Sequence, residues 1–463
     1  MAQFRTTPSV PSSTTDAGAR PDAISVRSGR RFWVRPFDSL AVATVSVLAG
    51  VIALGKKPLW MDEAIDVQWT YLAWSEYLSI VFRSEMGQAL WLLLLKPWLS
   101  IAGHGEVSAR VPAVLFAVAA CALLVPVGRR LLGGRLPGVA AGLLMACSAF
   151  VVAWEQQART YTLTLFASVA VTYVFLRALH SSGWRWWLIY GLVGGLSVYT
   201  HFFVGLVLLA HAAAALTFKP RPGRPAIYAG AIVVLLALPA TAFAMTTQTQ
   251  RGWIPPLTGD VLKDTVHSLA GGRWAIAAVA LAGDGLVAMR ADRWKAVLVI
   301  GWLGLPLATA TALSLGDHAA FIGRYLISVV PAVSLCAAYL LTRAPAWWGA
   351  ALVLAACLWS LGPVAALYRS QTFEDWRAAA AYVDTRRADG EHLAVTTDFL
   401  ALVTGYYLRS DPDSRAVRGD VTWFMAAAVE RRAVEHQIRG RGYIIAQRKA
   451  FPGVLVLKAV RRT

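Results

Sequence analysis

Charge is what this chain has least of. Asp, Glu, Lys and Arg together supply 15% of its 463 residues, against 57% hydrophobic. That leaves too little polar surface to clothe a water-soluble domain. Acidic residues are the scarcer half: 26 Asp and Glu stand against 44 Lys and Arg, a formal net charge of +18. Cysteine is rarer still. Its four residues, Cys121, Cys147, Cys336 and Cys357, all fall inside apolar runs without metal-ligand spacing. They read as small core residues and leave the redox compartment unread. A Walker loop, a GxGxxG dinucleotide loop and an HExxH metal site are all missing, which argues against an ATP-driven pump and a zinc protease. No RNA- or DNA-binding motif accompanies the basic excess, so nucleic acid is not the expected partner.

What the chain does have is long apolar runs, each near the ~20 residues a helix needs to cross hydrocarbon. They occupy 37–55, 107–127, 136–153, 160–179, 184–199, 201–218, 226–245, 271–290, 295–315, 319–341 and 345–366. The expected fold class is therefore a polytopic α-helical membrane protein of about eleven spans. A shorter run at 88–101 carries Lys96 and Pro97 in its middle and reads as a helix lying in the interface. Residues 1–36, rich in Ser, Thr, Pro and Arg, read as a disordered cytoplasmic tail, with the first span kept as a signal anchor.

Charge tests this topology. With the tail inside, Arg129, Arg130 and Arg135, then Lys219, Arg221 and Arg224, then Arg290, Arg293 and Lys295, then Arg343 all fall in inner loops, as the positive-inside bias requires. Between residues 56 and 366 every acidic residue except Asp284 and Asp292 then falls outside. Counting 88–101 as a span would reverse the side of Arg129–Arg135. The expected domains are the tail, a membrane domain at 37–369 with a long outer loop at 56–106, and a small extracytoplasmic α/β domain at 370–463. In that last domain, helical stretches near 374–385 and 423–438 alternate with β-like runs at His392–Thr397, Tyr443–Ala446 and Val454–Leu457.

Candidate chemistry gathers in the outer loops. Asp62-Glu63 comes just after the first span, before an amphipathic stretch that runs to about Phe82 and sets Ile65, Trp69 and Leu72 on one helical face. A carboxylate there either is merely solvated, or takes a proton from an acceptor hydroxyl or holds a divalent cation. Trp60, Trp69, Tyr71, Trp74 and Tyr77 suit a membrane–water boundary. Glu155 and Arg159 lie in Glu155-Gln156-Gln157-Ala158-Arg159-Thr160-Tyr161. They either pair with each other at i,i+4 spacing or serve function. His201, in Tyr199-Thr200-His201-Phe202-Phe203, either packs or ligates a metal. Arg324, before Tyr325, either snorkels to headgroups or makes a bidentate phosphate contact. Lys56, Lys57, Arg83, Lys96 and Arg251 add outer-side charge.

Taken in order, these features resemble the GT-C glycosyltransferases, the broad class of dolichyl-phosphate-mannose–protein mannosyltransferases and lipid A aminoarabinose transferases, in a bacterial form. The resemblance runs from about residue 37 to 385. It rests on Trp60-Met61-Asp62-Glu63 after the first span, Gln88 to Leu94 as a membrane-surface helix, Glu106 to Pro112 leading into the second span, Glu155 to Tyr161, His201-Phe202-Phe203, Arg324-Tyr325 and Glu374-Asp375-Trp376-Arg377. Two departures stand out. Met86-Gly87-Gln88-Ala89 replaces a His-Pro-Pro element, and Glu-Gln-Gln-Ala-Arg replaces Gln-Glu-Ala-Arg.

The resemblance implies an inverting transfer of a sugar from a polyprenyl-phosphate donor to a glycan, lipid or protein acceptor, at the outer face of the cell membrane. It implies Asp62 as base and Glu63 as supporting carboxylate. Glu85, Glu155 and His201 would orient acceptor or bind a cation. Arg159 and Arg324, with Tyr161 and Tyr325 beside them, would hold lipid phosphate. A divalent cation such as Mg2+ or Mn2+ suits a carboxylate pair, with Asp62, Glu63 and His201 as its ligands, though not every relative needs one. Competing readings are a lipid-linked-sugar flippase, which would need ionisable groups near the midplane, and an inactive structural relative. The sequence names neither the sugar nor the acceptor.

Overall fold

The computed structural model describes residues 36–181, 183–246, 254, 256–269, 292–315, 320–370, 372–408 and 419–462. The expected span at 271–290, most of the tail, and Arg251, Asp284 and Arg290 lie outside the described residues. The membrane portion begins with α1 (Pro36–Val51), α2 (Met61–Trp69), α3 (Trp74–Arg83), α4 (Ala89–Ala102) and α5 (Glu106–Leu132). It continues with α6 (Arg135–Ala146), α7 (Ala149–Glu155), α8 (Tyr161–Leu179), α9 (Trp184–Ser197), α10 (Val204–Thr217) and α11 (Arg224–Thr246). Then come α12 (Gly259–Leu269), α13 (Arg293–Leu315), a 3-10 turn at Gly323–Val329 leading into α14 (Val330–Leu341), and α15 (Ala346–Arg369).

Every expected apolar run within the described residues is helical. Among the described residues, length and composition nevertheless support six crossings, or eight if two bent pairs each count as one. Seven of the eleven expected runs are among these; of the other four, 271–290 lies outside the described residues, and α1, α9 and α10 have 16, 14 and 14 residues, short of the ~20 that span hydrocarbon upright. One bent pair joins α3 to the Met86–Ala102 segment through 100°, and the other joins α6 to α7 through 58°. A helix turned through 100° does not cross as one rod, in keeping with a membrane-surface reading of 88–101.

Small residues set the closest approaches. A Cβ on Gly138 would meet the Val125 carbonyl at 2.7 Å and the Arg129 backbone at 2.9 Å, so α6 lies directly against α5. Their shared end is tied by Asp38 of α1, whose carboxylate accepts from Nε and Nη2 of Arg135 and from Nη1 of Arg129. Part of the basic cluster between α5 and α6 is thus a structural clamp.

The amphipathic stretch after Asp62 is two helices. Thr70 closes α2 by donating its hydroxyl to the Val67 carbonyl at 2.6 Å. Lys96 of α4 then takes the Thr70 and Leu72 carbonyls at 2.6 and 2.7 Å. Leu72 therefore sits in the turn before α3 and not on a continuous helical face. Buried Lys96 is a latch between α2 and α4 and not an outer-side charge for a ligand.

The C-terminal portion adds α16 (Trp376–Asp384), β1 (His392–Val395), α17 (Asp398–Tyr407), β2 (Val421–Ala427), α18 (Arg431–Gly440), β3 (Tyr443–Phe451) and β4 (Val454–Arg461). The sheet order is β1-β2-β4-β3, with β1 and β2 parallel and the other pairs antiparallel. The expected helix at 423–438 is a strand up to Ala427. As a strand covered on both faces, Val421–Ala427 is nearly uniformly apolar and buried, and such a run carries no period to tell strand from helix.

Alternation along the strands sorts two cores. Leu393, Val395, Trp423, Met425, Val454 and Val456 join α2, α4 and the start of α5 in one apolar cluster with Trp376. Ala394, Phe424, Ala426, Leu455, Leu457 and Ala459 face the other way, under Val434 and Ile438 of α18. One face of the sheet therefore packs on α16 and α17, which carry the cluster to α2 of the first long loop, and α18 covers the opposite face.

Candidate functional site

The site is built around α2. Asp62 and Asp66 are one helical turn apart, so their side chains share a face. Between them reaches Arg159, from the loop between α7 and α8. Its Nη1 lies 2.8 Å from Asp66 and its Nη2 lies 3.6 Å from Asp62. Nη1 also donates to the Asp62 carbonyl at 3.2 Å. The i,i+4 pair that the spacing of Glu155 and Arg159 allows does not form: Arg159 turns to α2, and Glu155 turns into the bundle.

Asp66 is fully buried, whereas the Asp62 side chain keeps 23% of its exposure. Trp91 donates its indole N–H to Asp66 at 3.2 Å, and Gln88 donates at 3.5 Å. Burial pushes the Asp66 carboxyl up to about 7, against the opposing pull of Arg159 and with further raising by Glu85 and Asp62. Gln88 also donates to Glu85 at 2.9 Å, and burial raises the Glu85 carboxyl above its ordinary value. Glu85, Asp66, Asp62 and Arg159 thus form one electrostatic cluster. Asp66 was absent from the sequence-based candidates, although its i,i+4 spacing from Asp62 was there to be read.

Glu63, beside Asp62, points the other way. Its two oxygens accept from Arg110 Nε at 2.9 Å and Nη2 at 2.7 Å, from the Ala158 N–H at 2.6 Å and from the Trp60 N–H at 3.2 Å. The remaining Arg110 donors go to the Leu54, Lys57 and Pro58 carbonyls. Both side chains are buried, at 3% exposure for Arg110 and none for Glu63. Every lone pair and N–H of this pair is accounted for, so the geometry gives Glu63 a structural role, joining α2, α5 and the loop before α8.

The remaining expected residues divide. Arg324 lies over the Trp60 ring at 5.7 Å and beside Tyr325 at 6.0 Å. His201 packs 4.9 Å from the Tyr325 ring. Buried Tyr161 lies within electrostatic range of Arg324, Arg159 and Asp62. Two contacts bring the 199–203 turn to the first loop: the Leu90 N–H donates to the Tyr199 carbonyl at 3.1 Å, and Gly87 lies so close to Phe202 that a Cβ would meet the ring at 2.9 Å. Asp62, Glu85, Arg159, Tyr161, His201, Arg324 and Tyr325 therefore converge at one end of the bundle. Glu155 does not join them. It is fully buried below Gly50 of α1.

Lys57 and Lys56 are spent on the end of α15: Lys57 donates to the Leu367 carbonyl and the Ser370 hydroxyl, and Lys56 to the Tyr368 carbonyl. Deeper in the bundle, His211 of α10 meets Thr172 at 3.0 Å and the Tyr190 hydroxyl at 3.2 Å, and stacks on Phe175. That is a satisfied packing residue and not a translocation site. Among the described residues no three His, Cys, Asp or Glu side chains converge as metal ligands. Asp62, Glu63 and His201 are not such a set, because Glu63 is committed to Arg110.

Comparisons with known proteins bear on the same region. The family model for dolichyl-phosphate-mannose-protein mannosyltransferase matches residues 89–243, about a third of the chain. That stretch includes Arg159 and His201 but not Asp62. No curated protein sequence matches. Among solved structures, ArnT from Cupriavidus metallidurans in the apo state is 12% identical, with a TM-score of 0.64 over 90% of this chain and 97% of that one. ArnT bound to undecaprenyl phosphate is also 12% identical, with a TM-score of 0.61 over 92% and 98%. The oligosaccharyltransferase AglB from Archaeoglobus fulgidus, in complex with an inhibitory peptide and a dolichol-phosphate, is 10% identical, with a TM-score of 0.54 over 92% and 74%. At such identities the likeness is one of fold.

Proposed function

We propose that this chain, whose fold is that of the GT-C glycosyltransferases, transfers a sugar from a polyprenyl-phosphate donor to an acceptor hydroxyl. The reading rests most on one observation. A partly exposed carboxylate, Asp62, stands at the first turn of α2 with Arg159 against it and Arg324 stacked over the neighbouring Trp60. A base and a cation at one end of an apolar bundle are what the reaction needs. The polyprenyl carriers in the ArnT and AglB structures support the donor class.

In the proposed inverting reaction, the acceptor oxygen attacks the anomeric carbon from the face opposite the phosphate. The C–O bond to phosphate breaks as the new C–O bond forms, and polyprenyl phosphate departs with the bonding pair. Asp62 takes the acceptor proton. Arg324 meets the developing charge on phosphate, with Tyr161 and Tyr325 beside it. Arg159, already shared by Asp62 and Asp66, orients the base and stands at the edge of the phosphate site. The reaction is assigned to the outer face, with the C-terminal domain on the same side.

The test is release of polyprenyl phosphate by purified protein in lipid, using candidate sugar donors. Asp62→Asn is expected to lower the rate by ~10²–10⁴-fold, the usual worth of a positioned base, while binding of undecaprenyl phosphate is kept. Equal rates for both proteins would remove Asp62 from the mechanism.

A further inference from the structure

The C-terminal domain grips the segment that leads into Asp62 by its backbone. Glu374, just before α16, accepts from the Met61 N–H at 2.8 Å. The same Oε2 accepts the Trp376 indole N–H at 2.6 Å. Tyr407, at the end of α17, accepts from the Leu59 N–H at 2.6 Å and donates to Glu106 at 2.7 Å. Glu106 in turn accepts from Nε and Nη2 of Arg377. Lys57 is fastened to Leu367 and Ser370, where α15 hands over to the domain. Residues 57, 59 and 61 are thus each anchored by a group more than 300 positions downstream.

These anchors have a physical purpose at the helix start. The first N–H groups of a helix have no partner within it. Met61 is the first residue of α2, and the residue before it, Trp60, supplies no side-chain cap. Glu374 fills that role from another domain. A carboxylate at a helix N-terminus is also favoured by the aligned peptide dipoles. Burial raises the Glu374 carboxyl above its ordinary value, and the nearby charge of Asp62 raises it further, against the lowering by its two hydrogen bonds. The two carboxylates are therefore within electrostatic reach of each other.

We propose that Glu374 is a positioning residue: by capping α2 through the Met61 N–H it sets the direction of the Asp62 carboxylate, and this is how the C-terminal domain takes part in transfer. The proposal rests on the reading of Asp62 as base, but its geometric half is testable without any substrate. Glu374→Gln keeps an oxygen acceptor for Met61, whereas Glu374→Ala removes it. Tyr407→Phe removes the companion bond to Leu59.

The experiment is backbone hydrogen exchange on the full-length protein in lipid nanodiscs, paired with transfer kinetics. In Glu374→Ala, amides between residues 58 and 66 are expected to exchange about tenfold faster, the loss of about one hydrogen bond, with α5 and α8 unchanged. In the same variant kcat is expected to fall while binding of undecaprenyl phosphate stays as in the parent. Glu374→Gln is expected to restore both. Unchanged exchange at 58–66, acceleration spread over the whole protein, or failure of Gln to rescue overturns the proposal. If Glu374→Ala does not fold, Tyr407→Phe carries the test, with faster exchange at 58–61 in support and none against. Should the parent protein transfer no sugar from any donor, the functional reading falls, and the exchange result still decides the coupling.

Discussion

Asp66 and Glu63 are both buried acids on α2, four lone pairs apiece, yet their surroundings make them opposites. Glu63 is fully matched by Arg110 and two backbone N–H groups. Removing one partner leaves the other as an uncompensated buried charge, at a cost of roughly 3–5 kcal/mol. Glu63→Ala is therefore expected to lower the melting temperature in detergent sharply, and to reduce the yield of folded protein before it reduces kcat. An unchanged melting temperature would return Glu63 to the list of catalytic groups. For Asp66 the sign runs the other way. Its native carboxyl holds a proton up to about pH 7, while an unfolded one releases it near 3.8. Between those values the folded state binds more protons, so stability present at low pH is lost as pH rises toward 7. Melting temperatures measured from pH 4 to pH 8 are expected to fall along this group's titration, and to do so less in Asp66→Asn. Parallel curves for the two proteins would contradict the assignment.

At the scale of elements, the loop between α1 and α5 is a rigid assembly. Lys96 bonds the Thr70 carbonyl at the end of α2 and the Leu72 carbonyl in the turn before α3, and lies 5.0 Å from the rings of Trp74 and Tyr77. Tyr77 in turn donates to the Leu92 carbonyl at 2.7 Å. These contacts lock α2, α3 and α4 into one unit that presents Asp62. Replacing Lys96 with Met keeps the apolar stem but leaves two carbonyls without their charged donor. Hydrogen bonds to charged groups contribute about 1.5–3 kcal/mol, so Lys96→Met is expected to melt several degrees lower and to lose protease resistance between α2 and α3. If limited proteolysis showed no new cleavage there, the latch would be cosmetic.

For the whole molecule the deciding question is sidedness. Two exposed positions report it: Arg432 on α18, and Arg221 between α10 and α11. In a background lacking the four native cysteines, Arg432→Cys is expected to react with a membrane-impermeant maleimide in intact cells, and Arg221→Cys only after permeabilisation. The reverse pattern would put the carboxylate end of the bundle in the cytoplasm and end the outer-face reading.

The sequence alone determined the class of fold, because hydrophobic length is a local property of a segment in lipid. It also picked out Asp62, Arg159, His201 and Arg324, each of which breaks a long apolar pattern near a span end. What it could not determine is pairing. Nothing along the chain says that Arg159 reaches Asp66 in preference to Glu155, that Glu63 belongs to Arg110, or that Lys96 closes a helix. Nor does it say that 421–427 is a strand, since the period that would mark it vanishes when both faces are covered. Those outcomes depend on which segments meet, and an ionic or capping bond between residues tens or hundreds of positions apart leaves no periodic trace. Tertiary structure decided them, through the requirement that every buried charge and helix end find a partner.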